Sequence, residues 1–152
     1  MTKHERLHDY AAGQGITVCP AHFSEIKKAA CLQTAADCKN ILLDTANIDT
    51  QAEANELLAE ELGHYETGGL FRLSPLHNGS LERSNRGRYE ASARRWAYLT
   101  LLPPSEIERA IEYCTDIYEL AEHLDVPQAF LVKTVEYYAG EGITFRWPDY
   151  EA

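Results

Sequence analysis

Between Thr50 and Gly69 the sequence specifies both ends of one helix, and this segment constrains the fold more than any other. Thr50-Gln51-Ala52-Glu53 has the form of a capping box. The threonine hydroxyl accepts from the third helical N–H, and the glutamate reaches back. Gly68-Gly69 stops the pattern, so the spacing predicts a helix over about Gln51 to Glu66. The end of that helix reads Ala59-Glu60-Glu61-Leu62-Gly63-His64-Tyr65. Residues four apart lie nearly in line on a helix, so Glu60 and His64 share a stripe. Glu61 lies beside that stripe. The expected apolar face, from Ala54, Leu57, Leu58, Leu62 and Tyr65, places Glu61 in its middle. A carboxylate on a buried face is costly unless it is paired, protonated or bound to metal.

The residues before this helix change period. Residues 3–13 predict a short helix ended by Gly13-Gln14-Gly15. Ile16 to Cys19, closed by Pro20, reads as a strand. Ala29 to Gln33 and Asn40 to Asp44 read as two more, turning around Ala36-Asp37. Together they predict a small antiparallel sheet. After the motif helix, residues 70–86 read as a long polar loop, of a length that is often functional. A second long helix is expected from about Arg88 to Leu102, stopped by Pro103-Pro104. Shorter helices follow near 105–113, 116–123 and 128–139, and the tail Ile143-Thr144-Phe145-Arg146-Trp147 alternates like an edge strand. The expected fold is α+β: a small sheet, the motif helix and a mostly helical C-terminal half, in one domain over residues 1–152.

On the second long helix, Glu90, Ala93, Ala97 and Leu101 share one face, with Glu90 the only acid in the row. The alanines allow another helix to approach closely. Two side chains at i and i+4 can grip one ion from the same side. A third ligand comes from elsewhere, and a catalytic site keeps one position open for water. In this arrangement Glu60, His64 and Glu90 are the metal ligands. Glu61 is the general base that takes the proton from metal-activated water as it attacks a peptide carbonyl.

At 152 residues the chain is long enough for one real core. Its 45% apolar and 25% charged residues read as soluble and globular. No apolar run approaches the ~20 residues of a membrane span, and Met1 to Tyr10 has no signal-peptide core; both predict a cytoplasmic protein. A net charge of −10 disfavours direct nucleic-acid binding. None of Cys19, Cys31, Cys38 and Cys114 forms a Cys-x-x-Cys pair, so a cysteine zinc site has little support. Cys31 and Cys38 read as reduced, partly buried thiols.

The segments LLAEELGHYETGG, YEASARRWAYLTLLP and YELAEHLDVPQAFLVKTVEYY resemble the ImmA/IrrE metallopeptidases of prophages and mobile elements. The likeness covers roughly residues 5–140 and includes the strand pair AACLQTAADCKNILLD. It implies a reduced zincin fold and cleavage of a specific helix-turn-helix repressor, which releases silenced phage or mobile-element genes. His64 corresponds to the second motif histidine, Glu61 to the motif glutamate and Glu90 to the third ligand. The departure is Glu60, where the fuller family motif has histidine. Two carboxylates and one imidazole make a harder donor set, so manganese or iron joins zinc as the expected metal, and the bound water is less acidic. The alternative is a catalytically weak anti-repressor that docks its regulator without cutting.

Other residues carry weaker signals. His77 in the long loop is a substitute ligand or, more simply, solvated. His22 and His123 read as surface residues. Arg94, one turn after Glu90, steadies a carboxylate or an oxyanion, or else pairs with a surface acid. Tyr65, Tyr98, Trp96 and Trp147 read as packing. Ile117 to Tyr138 has a helix-turn-helix cadence, but its second helix has only Lys133 as a base, which suits packing or partner docking better than DNA reading.

Overall fold

The computed structural model describes residues 1–24, 28–35, 38–67 and 80–147; the side chains of 30–35 and 80–86 lie outside that description. So do the expected turn at Ala36-Asp37, the Gly68-Gly69 stop, His77 and most of the expected loop. The chain is α+β, with a helical C-terminal half. Helix α1 (Lys3–Gly13) opens on a complete capping box between Thr2 and Glu5. It ends at Gln14 and Gly15, whose φ of 72° suits a residue without a Cβ. Strands β1 (Ile16–Pro20), β2 (Ala29–Ala35) and β3 (Cys38–Leu43) form one sheet in the order β1-β3-β2.

The wholly antiparallel sheet expected from the sequence is corrected. β2 and β3 pair antiparallel, but β1 pairs parallel to β3, with Ile16 opposite Lys39 and Pro20 opposite Leu43. The physical reason is strand order. β3 carries the apolar run Ile41-Leu42-Leu43, with Ile41 fully buried, and takes the centre. That leaves β1 on the far edge, where Pro20 can end a strand without breaking a central ladder.

Helix α2 (Gln51–Glu66) has the expected bounds. Thr50 caps it by accepting from Glu53 N at 3.1 Å. The return half of the expected box differs: Glu53 accepts from Asp49 N at 3.0 Å and from Lys28 Nζ at 2.6 Å. Helix α3 (Ser80–Leu101) begins well before the expected Arg88, so residues 80–86 are helical rather than loop. Leu81-Glu82-Arg83 are good helix formers; the polar character of the stretch hid them. Helices α4 (Pro104–Ile111), α5 (Ile117–His123) and α6 (Gln128–Gly140) follow. Residues 143–147 form no strand, contrary to expectation. Phe145 instead sets its edge against the Tyr138 ring, 5.9 Å between centroids, and is buried there.

The core joins α2, α3 and the C-terminal helices through Leu58, Leu62, Ala97, Leu101, Leu131 and Phe130. α2 makes its most extensive helix contact with α3. A polar node ties α1 and α2 to the start of α4 and the α5–α6 turn. Lys3 Nζ donates to Leu124 O at 2.8 Å and pairs with Glu106 at 3.0 Å. Asn55 Nδ2 donates to both the carbonyl and the carboxylate of Asp125 at 3.0 Å. Asp125 sits in the α5–α6 turn with φ 52°, a left-handed conformation that Asp tolerates better than most residues. Among the described residues, no helix is long and apolar enough to cross a membrane.

Candidate functional site

The site lies where α2 runs alongside α3. Ala93 and Ala97 are buried, as the row Glu90-Ala93-Ala97-Leu101 predicts. The two backbones come so close that a Cβ at Gly63 would meet the Ala93 carbonyl oxygen at 2.4 Å. This approach brings His64 Nε2 to 3.4 Å from Glu90 Oε2. The histidine side chain is 15% exposed and the glutamate 43%, so the pair opens to solvent on the α3 side.

Glu60 lies one turn before His64. Burial pushes its carboxyl above the usual range, Arg94 and Lys133 pull it down, and the Glu90 charge raises it again. Glu60 therefore shares an electrostatic neighbourhood with Glu90 and Arg94. Yet among the described residues no three His, Cys, Asp or Glu side chains cluster closely enough to hold an ion. The structure brings together His64 and Glu90, with Glu60 beside them. As for the fit of a metal, bonds of about 2.0–2.1 Å at tetrahedral angles set two donors roughly 3.3 Å apart. The His64–Glu90 separation matches that span, and an imidazole with carboxylates suits zinc, manganese or iron.

The burial argument for Glu61 is corrected. The buried residues of α2 are Asn55, Leu58, Ala59, Leu62 and Gly63; Ala54, Leu57, Tyr65 and Glu61 itself are half-buried. Glu61 therefore flanks the buried face instead of centring it. The buried arc runs from Leu58 and Leu62 to Ala59 and Gly63, the side that meets Ala93, so its centre lies away from Leu57 and Glu61. Glu61 does make interactions in the fold.

Glu56, a turn before Glu60, was not singled out by the sequence. Burial and then the Glu60 charge push its carboxyl up to about 7, with Lys133 opposing. The acid stripe Glu56-Glu60, four residues apart, was the available signal. Arg94 is exposed and donates through Nε to the Glu90 carbonyl oxygen at 3.4 Å. Tyr65 accepts from Lys39 at 2.8 Å and Tyr98 packs on Phe130, so both are packing residues as expected. Trp96 stacks near Tyr10, and Trp147 packs on the core. His22 and His123 are exposed.

A second feature escaped the sequence reading. His4-Glu5-Arg6-Leu7-His8 on α1 has the full His-Glu-x-x-His spacing. The two imidazole centroids are 4.4 Å apart. They line a cleft of about 490 Å³ together with Cys19, Thr45, Asp49 and Gln51. The spacing itself was the signal.

No protein-family model matches this chain, and comparison with curated proteins finds no match.

Proposed function

We propose that the protein is a cytoplasmic metal-dependent endopeptidase of the ImmA/IrrE type, acting on a specific helix-turn-helix repressor and not on nucleic acid itself. The observation that carries this reading is the 3.4 Å approach of His64 Nε2 and Glu90 Oε2, supplied by different helices. His64, Glu90 and Glu60 would hold zinc, manganese or iron. When bound, the metal supplies a water acidic enough to attack a peptide carbonyl. Glu61, half-buried on the adjacent flank of α2, would serve as the general base.

Metal content of untagged protein, purified without chelator, tests the ligand set. His64→Ala and Glu90→Ala each lower bound metal sharply. Unchanged metal in both variants would end the assignment. Glu61→Gln keeps the metal and stops cleavage of the cognate repressor; a Glu61→Gln enzyme that cuts normally removes the base role. One observation favours the alternative, a weak or inactive anti-repressor that docks without cutting. Arg94 and Lys133 already supply positive charge to Glu60, which lessens its need for an ion. In that case Glu61→Gln derepresses as well as the parent does.

A further inference from the structure

We propose that His4 and His8 form a second, independent binding site for a borderline divalent metal of the zinc class, at the mouth of the cleft between α1 and the β1/β3 ends. Residues four apart on a helix present their side chains from one face. Here that face places two imidazoles with centroids 4.4 Å apart and planes tilted by 59°. One nitrogen of each ring can then reach a common ion at about 2.0–2.1 Å.

The hydrogen-bond network sets His4 in the ligand tautomer. Asn55 is fully buried, and its Nδ2 donates to the Asp125 carbonyl and carboxylate. That orients the amide, leaving Asn55 Oδ1 as the acceptor facing His4 Nδ1 at 3.1 Å. His4 Nδ1 therefore carries the proton, and Nε2 keeps its lone pair. Metal-binding histidines are held in this way, with the second ring N–H donated to a fixed acceptor. His8 is half-buried beside His4 and lines the same cleft. Asp49 and Cys19 line that cleft without joining the two histidines in a three-donor cluster, so the two imidazoles are the protein donors and water fills the ion's remaining positions.

The site binds; it does not hydrolyse. In a zinc peptidase the glutamate of His-Glu-x-x-His is the base. Here Glu5 is the capping glutamate: its carboxylate accepts from Thr2 N at 2.6 Å. It is already engaged as an acceptor at the helix end.

The test is calorimetric titration of the untagged protein with zinc at pH 7.5, in a His64→Ala/Glu90→Ala background that removes the other candidate site. One equivalent of zinc should still bind. His8→Ala should weaken that binding by roughly tenfold or more, and His8→Cys, which replaces one zinc donor by another, should restore it. NMR of the imidazoles should show His4 and His8 shifting together as zinc is added. If the double-variant background binds no zinc, or if His8→Ala binds it as tightly as His8, the site does not exist. Because the background lacks His64 and Glu90, either result stands apart from the fate of the peptidase reading.

Discussion

Gly63 and Ala93 meet backbone to backbone, and a Cβ added at Gly63 would lie 2.4 Å from the Ala93 carbonyl oxygen. The His64–Glu90 pair depends on this approach, because each residue is adjacent to, or one turn from, the contact. Gly63→Ala must push α2 and α3 apart. The expected cost is about 2–3 kcal/mol, read by urea unfolding, with weakened metal binding at His64. Gly87→Ala is the matched control. That position is exposed, with nothing within 4 Å of the added methyl, and alanine in a helix interior is favoured by roughly 0.5–1 kcal/mol.

Glu56 and Glu53 sit on the same helix and respond to pH with opposite signs. The folded state raises Glu56 to about 7, so folding takes up a proton there. Its contribution to stability is present below the ordinary carboxyl range and is lost as pH rises toward 7. Glu56→Gln should therefore raise the melting temperature at pH 8, by about 2–4 °C for a chain of this size, and change it little at pH 4. Glu53 is lowered by Lys28 and Asp49 N. Its contribution is present above the ordinary carboxyl range and is lost as pH falls through the lowered value. Glu53→Gln should destabilise at pH 7 and have less effect at pH 3. Thermal melts of both variants across that range check the two signs.

Asn55 is the buried amide on which α1, α2 and the α5–α6 turn converge. Asn55→Ala removes the partner of the Asp125 carbonyl and of His4 Nδ1 at part-buried positions. The expected loss is roughly 1–3 kcal/mol, measured by denaturant unfolding. Gln51, which donates to the same Asp125 carboxylate at 3.1 Å but is exposed, should change stability by less than about 0.5 kcal/mol when replaced by alanine.

Tyr138 donates its hydroxyl to Leu102 O at 2.7 Å inside the core. It satisfies a carbonyl at the end of α3 that Pro103-Pro104 prevents the helix from using. Tyr138→Phe leaves that carbonyl unpaired and should cost about 1–2 kcal/mol. Amide hydrogen exchange should rise first in the last turn of α3.

Much of the helical layer was legible. Thr50 announced α2, Pro103-Pro104 ended α3, and the alanines at 93 and 97 foretold a close helix contact, because each depends on local chemistry. The pairing of His64 with Glu90 followed from the same local rules applied twice. The sheet was less legible. Whether β1 joins β2 or β3 depends on which strand can be covered on both faces, a property of the packed molecule and not of any strand alone. Glu61 misled for a related reason. A helical wheel shows where the large apolar residues lie, but neighbours decide which face is covered, and α3 chose the side of Ala59 and Gly63. The start of α3 was hidden because Ser80 to Arg86 carries no apolar stripe to mark it.

The bond from Lys3 to Leu124 joins residues 121 apart in sequence. An ammonium gives up water only when its acceptor and the Glu106 carboxylate are already in place. Docking of α1 is therefore expected late in folding. A contact made after the folding transition state does not set the folding rate, so mutations at Lys3 should accelerate unfolding while leaving the folding rate nearly untouched. On that order of events, α1 works as a latch set on the assembled body.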